Sequence, residues 1–434
     1  MNFLFEHALL LTQAMNEPLP DMCIGIADGK VAFISKRPPE DFFPQRRIDC
    51  RGSLLMPGFV NAHTHSPLSF LRSFGEGLSL QTWLESLVWP YEAHHTAESC
   101  YWGALLNAAE CIRSGVTCVC DMYIYGESVA DAYSSSGLRA LVTPTVTDDL
   151  VKQEPDLLIK IVELAKRWSD NSCIQIGIAP HAVYTCNGSL LSRVASLAEK
   201  YDLPIHVHVS ETLTEQEQCV GKYGMTPLQR LANFGLISRK TLMAHCVWFT
   251  PEDIQLTAQL GATIVHCPRS NLKLGSGIAP IKSFLNSGIP VALGTDSSAS
   301  NNNQDILEEL RFASLLQKGV LKDPSVLPPK ESLFMATSAA GHASGFSLGK
   351  LAPQAPADLI LVDRTAPHWK PGLYPSADLL YAASASDVKL TMVNGKILYE
   401  DGVYTSIDMD KLYATIPQFY PTVSRTIPQQ CRLW

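Results

Sequence analysis

The chain has 434 residues, 46% hydrophobic and 18% charged, which is enough apolar material for one large core and a smaller one and excludes wholesale disorder. Lys and Arg number 34 against 42 Asp and Glu, a net charge of −8 with no dense basic run. This argues against a duplex nucleic acid or an anionic membrane surface as partner.

In chain order, residues 1–57 read as β-rich. MNFLFEHALLL lacks a basic leader and carries Glu6 and His7 inside its apolar stretch, so it reads as a strand rather than a signal peptide. Cys23 to Ser35 is two apolar runs around Asp28-Gly29, a hairpin signal. A different texture follows, with short apolar runs alternating with amphipathic stretches, as a parallel βα architecture requires. The runs are 54–62, 116–122, 138–146, 173–179, 204–209, 241–246, 262–267 and 289–295. Between them Gly115 sits where a helix C-terminus wants a glycine, and Thr226-Pro227 and Thr250-Pro251 each put a capping hydroxyl before a first-turn proline. Eight such units make a (β/α)8 barrel, TIM-type, spanning 58–350. The β texture then returns, with tight turns at Asn394-Gly395 and Asp401-Gly402. Neither end has strands enough for a two-sided core, so 1–57 and 351–434 are expected to pair into one small composite β-sandwich. No apolar run reaches membrane-spanning length, and the 12 cysteines lie scattered without CxxC pairs, as reduced thiols of a cytoplasmic protein would.

The residues that carry chemistry sit at the strand ends. His63 and His65 follow the first barrel strand with a spacing of two, which puts both imidazoles on one side of an extended chain. Taken alone, that motif is common among ordinary satisfied histidines. The fifth strand, however, ends at His208 with Glu211 three residues on, the sixth at His245 and the eighth at Asp296. In a βα barrel all C-terminal strand ends face one mouth, so these residues converge without being close in sequence. Three imidazoles and a carboxylate suit one divalent ion; Zn2+ fits best and Fe2+ is compatible. Such an ion with an open position acidifies water to a pKa of about 7. The fourth strand ends in Ala179-Pro180-His181-Ala182, with no lysine to bridge a second ion.

PGFVNAHTH, APHAVYTCN, HVHVSET, AHCVWFT and GTDSSASNNN together resemble the amidohydrolase superfamily. They resemble in particular its mononuclear branch that deaminates 5′-methylthioadenosine and S-adenosylhomocysteine. The likeness covers nearly the whole chain and implies a (β/α)8 barrel with a composite β-sandwich. It implies metal ligands at His63, His65, His208 and Asp296, a proton-shuttling glutamate at Glu211, and a water-positioning histidine at His245. Asp296 would double as the base. The segment Trp89-Pro90-Tyr91-Glu92 resembles the family's ribose-recognition stretch, with Glu92 on the two vicinal hydroxyls, and His181 matches a substrate contact. The structural reading of Trp89 as a packing residue stands beside the functional one. His94, His95 and His206 have no counterpart and read as structural.

One departure bears on substrate. Members that take the homocysteine conjugate place arginines near the end of the third strand, where Pro144-Thr145-Val146-Thr147-Asp148-Asp149 stands here and Arg139 comes too early. Two aspartates would repel a carboxylate. Adenosine, methylthioadenosine or another amino-heterocycle stays open, as does the same chemistry on a triazine, pterin or guanine-type base. A catalytically silent barrel serving as a binding subunit is the reading from another class, and metal analysis discriminates it. The stretch Leu78 to Trp83 suits either a substrate mouth or a contact in a homo-oligomer.

Overall fold

The structure, a computed structural model, describes residues 1–426; residues 427–434, Cys431 among them, lie outside the described part. The chain opens with β1 (Phe3–Leu10), β2 (Leu19–Ala27), β3 (Lys30–Ser35), β4 (Arg46–Asp49) and β5 (Ser53–Pro57). It then passes through β6 (Phe59–Thr64), β7 (Val116–Tyr123), β8 (Arg139–Val146), β9 (Ile174–Ile176), β10 (Ala179–Pro180), β11 (Ile205–Val209), β12 (Thr241–His245), β13 (Thr263–His266) and β14 (Val291–Leu293). It closes with β15 (Leu359–Asp363), β16 (Val388–Val393), β17 (Lys396–Glu400) and β18 (Val403–Tyr404).

The outer strands from both ends share one nine-stranded sheet, ordered β18-β17-β16-β15-β5-β1-β2-β3 with β4 beside β1. β1 changes partner along its length: Phe3 to Glu6 run beside β4, while Leu9 and Leu10 run beside β5. Between them His7 has φ 59°, a left-handed residue that bends the strand, as happens where a strand passes from one layer to another. The sheet thereby encloses its own core of Phe5, Ile24, Ile26, Leu55, Leu359 and Met392. The turns Asp28-Gly29 and Asn394-Gly395 both hold two residues at positive φ, the hairpin geometry their sequences announce. They abut each other, for a Cβ on Gly395 would stand 2.7 Å from the Gly29 Cα.

The run 54–62, expected as one strand, is two. Pro57 has no N–H to continue the ladder, and the next two amides go to different sheets: Gly58 donates to Asp358 O (3.2 Å) and Phe59 to Gly115 O (3.0 Å). The chain therefore crosses from the outer sheet into the barrel within one peptide. The run 173–179 is likewise broken into β9 and β10, both paired to β8. Ile178 and His206 amides bridge this interrupted fourth strand to β11 (2.9 and 3.1 Å). With it counted once, eight parallel strands form the ring, and each is followed by helix. The ring closes where the Asp296 amide donates to His63 O (2.9 Å). Gly294 permits that approach, since a Cβ there would lie 2.7 Å from the His63 Cβ.

Val60, Cys118, Cys120, Leu141, Leu242, Val265 and Ala292 fill the interior with Ala340 and Leu348, so the cylinder is a packed core. Outside it, the helix Leu157–Trp168 buries Leu158, Ile161, Val162 and Leu164 on one face. Thr226 and Thr250 both make full capping boxes, with Gln229 and Asp253. After β18 the chain leaves the sheet: helices Met409–Thr415 and Tyr420–Thr426 return to the barrel, and Phe419 stacks on Phe70 (5.1 Å between centroids). Among the described residues no helix is long and apolar enough to cross a membrane.

Candidate active site

The four donors expected at the barrel mouth are together. His63, His65 and His208 offer ring nitrogens, and His63, His245 and Asp296 a second set, each set lying within 4.8 Å of one another. Asp296 Oδ1 is 3.3 Å from His65 Nε2 and 3.8 Å from His63 Nε2, and His208 Nε2 is 3.3 Å from His65 Nε2. All of these residues are buried except His65, which is partly so.

Each ring is held from behind through Nδ1. His65 donates to Met122 O (2.5 Å), and His208 to His181 O (3.0 Å). A carbonyl only accepts, so both rings must carry their proton on Nδ1 and turn a bare Nε2 to the centre. His63 has no partner at Nε2, although that atom is buried. An orphaned lone pair costs free energy unless a ligand takes it, and here it faces two imidazoles and a carboxylate. Burial and the neighbouring imidazoles push the His63 and His208 pKa values well below the usual histidine range, so both rings are neutral near pH 7. The donor set fits a divalent ion.

Asp296 is fixed as firmly. Ser270 Oγ donates to Oδ2 (2.6 Å) and the Ser297 amide to Oδ1 (2.7 Å). Its φ is 62°, that of His245 73° and that of Ser210 49°. These left-handed residues break the strand alternation at the ends of β14, β12 and β11 and re-aim side chains that a regular strand would send elsewhere.

Beside the cluster, Glu211 Oε2 is 3.6 Å from His245 Nε2, and Ser276 Oγ donates to Glu211 Oε1 (3.2 Å). Burial raises the Glu211 carboxyl above its ordinary range, with Asp296 adding to the rise and His245 opposing it. His245 Nδ1 faces Asn271 Oδ1 (2.8 Å). Glu215, one helical turn on, accepts the Glu211 amide (2.8 Å), and burial lifts its own carboxyl to about 8.

The expected substrate contacts divide. Glu92 ends the helical stretch Leu80–Glu92, whose middle, Leu84–Val88, is a wider π turn. Burial lifts the Glu92 carboxyl to about 7, against the pull of the Tyr123 hydroxyl beside it. The Tyr123 ring lies 6.4 Å from that of His65, so Glu92 borders the cluster. His181 joins it as well: its ring centroid is 4.8 Å from that of His208, and burial drives its pKa down to about 3. Trp89 is 37% exposed. Trp83, on the same helical stretch, is instead buried with an unpartnered indole N–H. His95 is buried and contacts Ser99, whereas His94 is exposed.

Sequence reasoning passed over the residues that hold the others in place. Ser270 and Asn271, in the short helix Pro268–Lys273 after β13, and Ser276 just beyond it touch Asp296, His245 and Glu211 from a stretch with no motif of its own. His206, read as structural, contacts His63 Nδ1 through Nε2 (2.9 Å). The HxH spacing of His206 and His208 was the only local signal for it.

Residues 54–398 match the Amidohydrolase family. A 5-methylthioadenosine/S-adenosylhomocysteine deaminase of Acetivibrio thermocellus is 38% identical over 98% of this chain and 100% of its own. A 5′-deoxyadenosine deaminase of Methanothermobacter thermautotrophicus is 39% identical over 87% of this chain and 89% of its own. The crystal structure of an adenosine deaminase from Xanthomonas campestris with bound zinc superposes with a TM-score of 0.92 at 32% identity, covering 98% of both chains. The chain belongs to the amidohydrolase family.

Proposed function

We propose that the protein is a zinc-dependent hydrolase that removes the 6-amino group of an adenine nucleoside as ammonia. The observation that carries this reading is a protonatable buried glutamate, Glu211, standing next to a three-imidazole, one-carboxylate cluster. The names of the relatives at 38 and 39% identity point to the same chemistry.

In this reading His63, His65, His208 and Asp296 hold a single ion, which when bound supplies Lewis acidity to a water oxygen. Asp296, oriented by Ser270 and the Ser297 amide, accepts the proton that water loses as its oxygen adds to C6. His245, held through Nδ1 by Asn271, hydrogen-bonds the attacking oxygen and stabilises its charge. Glu211 enters protonated and gives its proton to the ring nitrogen beside C6. It then takes the proton held by Asp296 and passes it to the amine; as the C6–N bond breaks and the C6 carbonyl forms, the C6 hydroxyl returns its proton to Glu211, so one water is consumed, one ammonia leaves and both carboxyls regain their starting states. A raised Glu211 pKa suits that first donation. Glu92 binds the ribose diol, His181 contacts the sugar side, and Trp89 lines the approach.

The 5′ group is proposed to be small or neutral. At the end of β8, Asp148 is engaged with the Asn187 amide (2.9 Å), and Thr147 caps the helix Asp148–Gln153. Arg139 sits at the opposite end of the same strand, paired with Asp358 (2.5 Å). No cation stands in that sequence stretch to receive a homocysteine carboxylate. An ammonia-release screen over adenosine, 5′-methylthioadenosine, S-adenosylhomocysteine, guanine and triazines tests the proposal. We expect turnover of the two nucleosides with neutral 5′ groups. Activity on triazines or guanine alone would overturn the reading. The proposal also assigns 58–350 to the hydrolase barrel and 1–57 with 351–434 to the composite sandwich. It places the enzyme in the cytoplasm, in keeping with eleven unpaired cysteines among the described residues.

A further inference from the structure

Behind His63 runs a chain of hydrogen bonds whose other members have no part in the proposed mechanism. His63 Nδ1 meets His206 Nε2 at 2.9 Å, His206 Nδ1 meets Thr143 Oγ1 at 3.3 Å, and the Thr143 hydroxyl donates to the Asp121 backbone carbonyl at 2.8 Å. All four residues are fully buried, so water cannot substitute for any link.

The chain has a direction. The Thr143 hydroxyl has one proton and two candidate acceptors, and the carbonyl is both the closer and the one that can never donate. With that proton committed, Thr143 Oγ1 can only accept from His206, which places the His206 proton on Nδ1. His206 Nε2 is then bare and accepts from His63 Nδ1–H. The His63 proton is thereby drawn to the rear of the ring, and its Nε2, buried and otherwise without a partner, is left as a lone pair facing Asp296. His65 and His208 reach the same state in one step each, from a backbone carbonyl. No carbonyl serves His63, and the Thr143–His206 pair extends the Asp121 carbonyl to reach it.

We propose that His206 is a positioning residue, and Thr143 its anchor, that together hold His63 in the single tautomer able to accept a cation. The inference rests on the reading of His63 as a metal ligand. Were the relay reversed, His63 would present Nε2–H to the centre, and a cation would first have to displace that proton. Partners of this kind are worth about 10- to 100-fold in metal affinity.

The test is zinc affinity of the full chain, read by competition with a chromogenic chelator, together with the ring 15N shifts of the zinc-free protein. Wild type should bind one zinc tightly and show His63 Nε2 as an unprotonated, pyridine-type nitrogen. Thr143→Val keeps the shape and removes the acceptor; His206→Leu removes both functions. Both should weaken zinc binding about 10- to 100-fold, with Thr143→Val showing a protonated fraction at His63 Nε2. Thr143→Ser and His206→Gln, which restore a hydroxyl or a carbonyl acceptor for the His63 proton, should recover most of the affinity. Should His206→Leu fail to fold, Thr143→Val and its nitrogen shifts still decide. Unchanged affinity and shifts in a folded Thr143→Val would overturn the relay while leaving the metal reading intact; a wild type that binds no zinc would overturn both.

Discussion

The two ends of the barrel treat buried charge in opposite ways. At the N-terminal end Arg139 meets Asp358 through two bonds (2.5 and 3.0 Å), and the Asn394 amide completes the carboxylate (2.8 Å). Both side chains are under 5% exposed, and the pair ties the barrel to the composite sheet. At the C-terminal end polar groups are left open instead: a bare, buried His63 nitrogen, an unpartnered Glu215 oxygen, and carboxyls at Glu92, Glu211 and Glu215 lifted by burial. Charge satisfied by its neighbours holds the fold, and polar atoms left unsatisfied are available to a ligand. One scaffold separates the two uses by the length of a strand.

The contrast can be broken at either end. The largest effect is expected from Glu211→Gln, which keeps the shape and abolishes the proton. Turnover of the best nucleoside should fall about 10²- to 10⁴-fold with metal content and melting temperature preserved. Near-wild-type kcat at full metal content would remove Glu211 from the mechanism.

Asp358→Ala should do the reverse. It strands a buried guanidinium and should cost about 3–5 kcal/mol of stability in denaturant unfolding, with kcat/KM unchanged while the protein stays folded. A loss of kcat/KM without a loss of stability would mean that the two ends are not separate.

Glu92→Ala should raise KM for nucleosides by the worth of a charged hydrogen bond, about 1.5–3 kcal/mol, and leave any residual activity on a free base untouched. Equal losses on both substrate types would count against a contact to ribose.

The last effect concerns pH and is the most gradual, spread over several pH units. Glu309, behind the Asp296 loop, is fully buried with its carboxyl lifted to about 8, the Asn301 amide at Oε1 (2.6 Å) opposing the rise. A carboxyl raised in the folded state holds a proton that the unfolded chain releases above about pH 4.5. Its contribution is therefore fully present at acid pH and is lost as pH rises towards 8, with a slope of at most about 1.4 kcal/mol per pH unit. Glu309→Gln should flatten the melting temperature between pH 5 and 8, and an unchanged profile would show that Glu309 does not carry that slope.

How much of this was legible beforehand depends on how local the cause is. The hairpin turns Asp28-Gly29 and Asn394-Gly395, the caps at Thr226 and Thr250, and six of the eight barrel strands follow from short-range chemistry and could be read directly. The split at Pro57-Gly58 could not, because two sheets compete for neighbouring amides there. At the site, His63, His65, His208, Glu211, His245 and Asp296 announce themselves at strand ends once a barrel is assumed. Ser270, Asn271, Ser276 and Thr143 do not: each is an ordinary hydroxyl or amide whose role exists only after distant strands meet. The left-handed backbone at His245 and Asp296 is equally silent, since both residue types tolerate it without any marker in the sequence.

The bond that closes the cylinder runs from the Asp296 amide to the His63 carbonyl, so the same two residues that would share a cation also join the last-made strand to the first. A half-synthesised chain can present His63, His65 and even His208, yet cannot complete the coordination set until the eighth strand arrives. Capture of the ion is then a report that the polypeptide has finished wrapping. Stripping the ion should loosen this seam before any other, so that hydrogen exchange after chelation quickens first along the edge where beginning and end of the barrel meet.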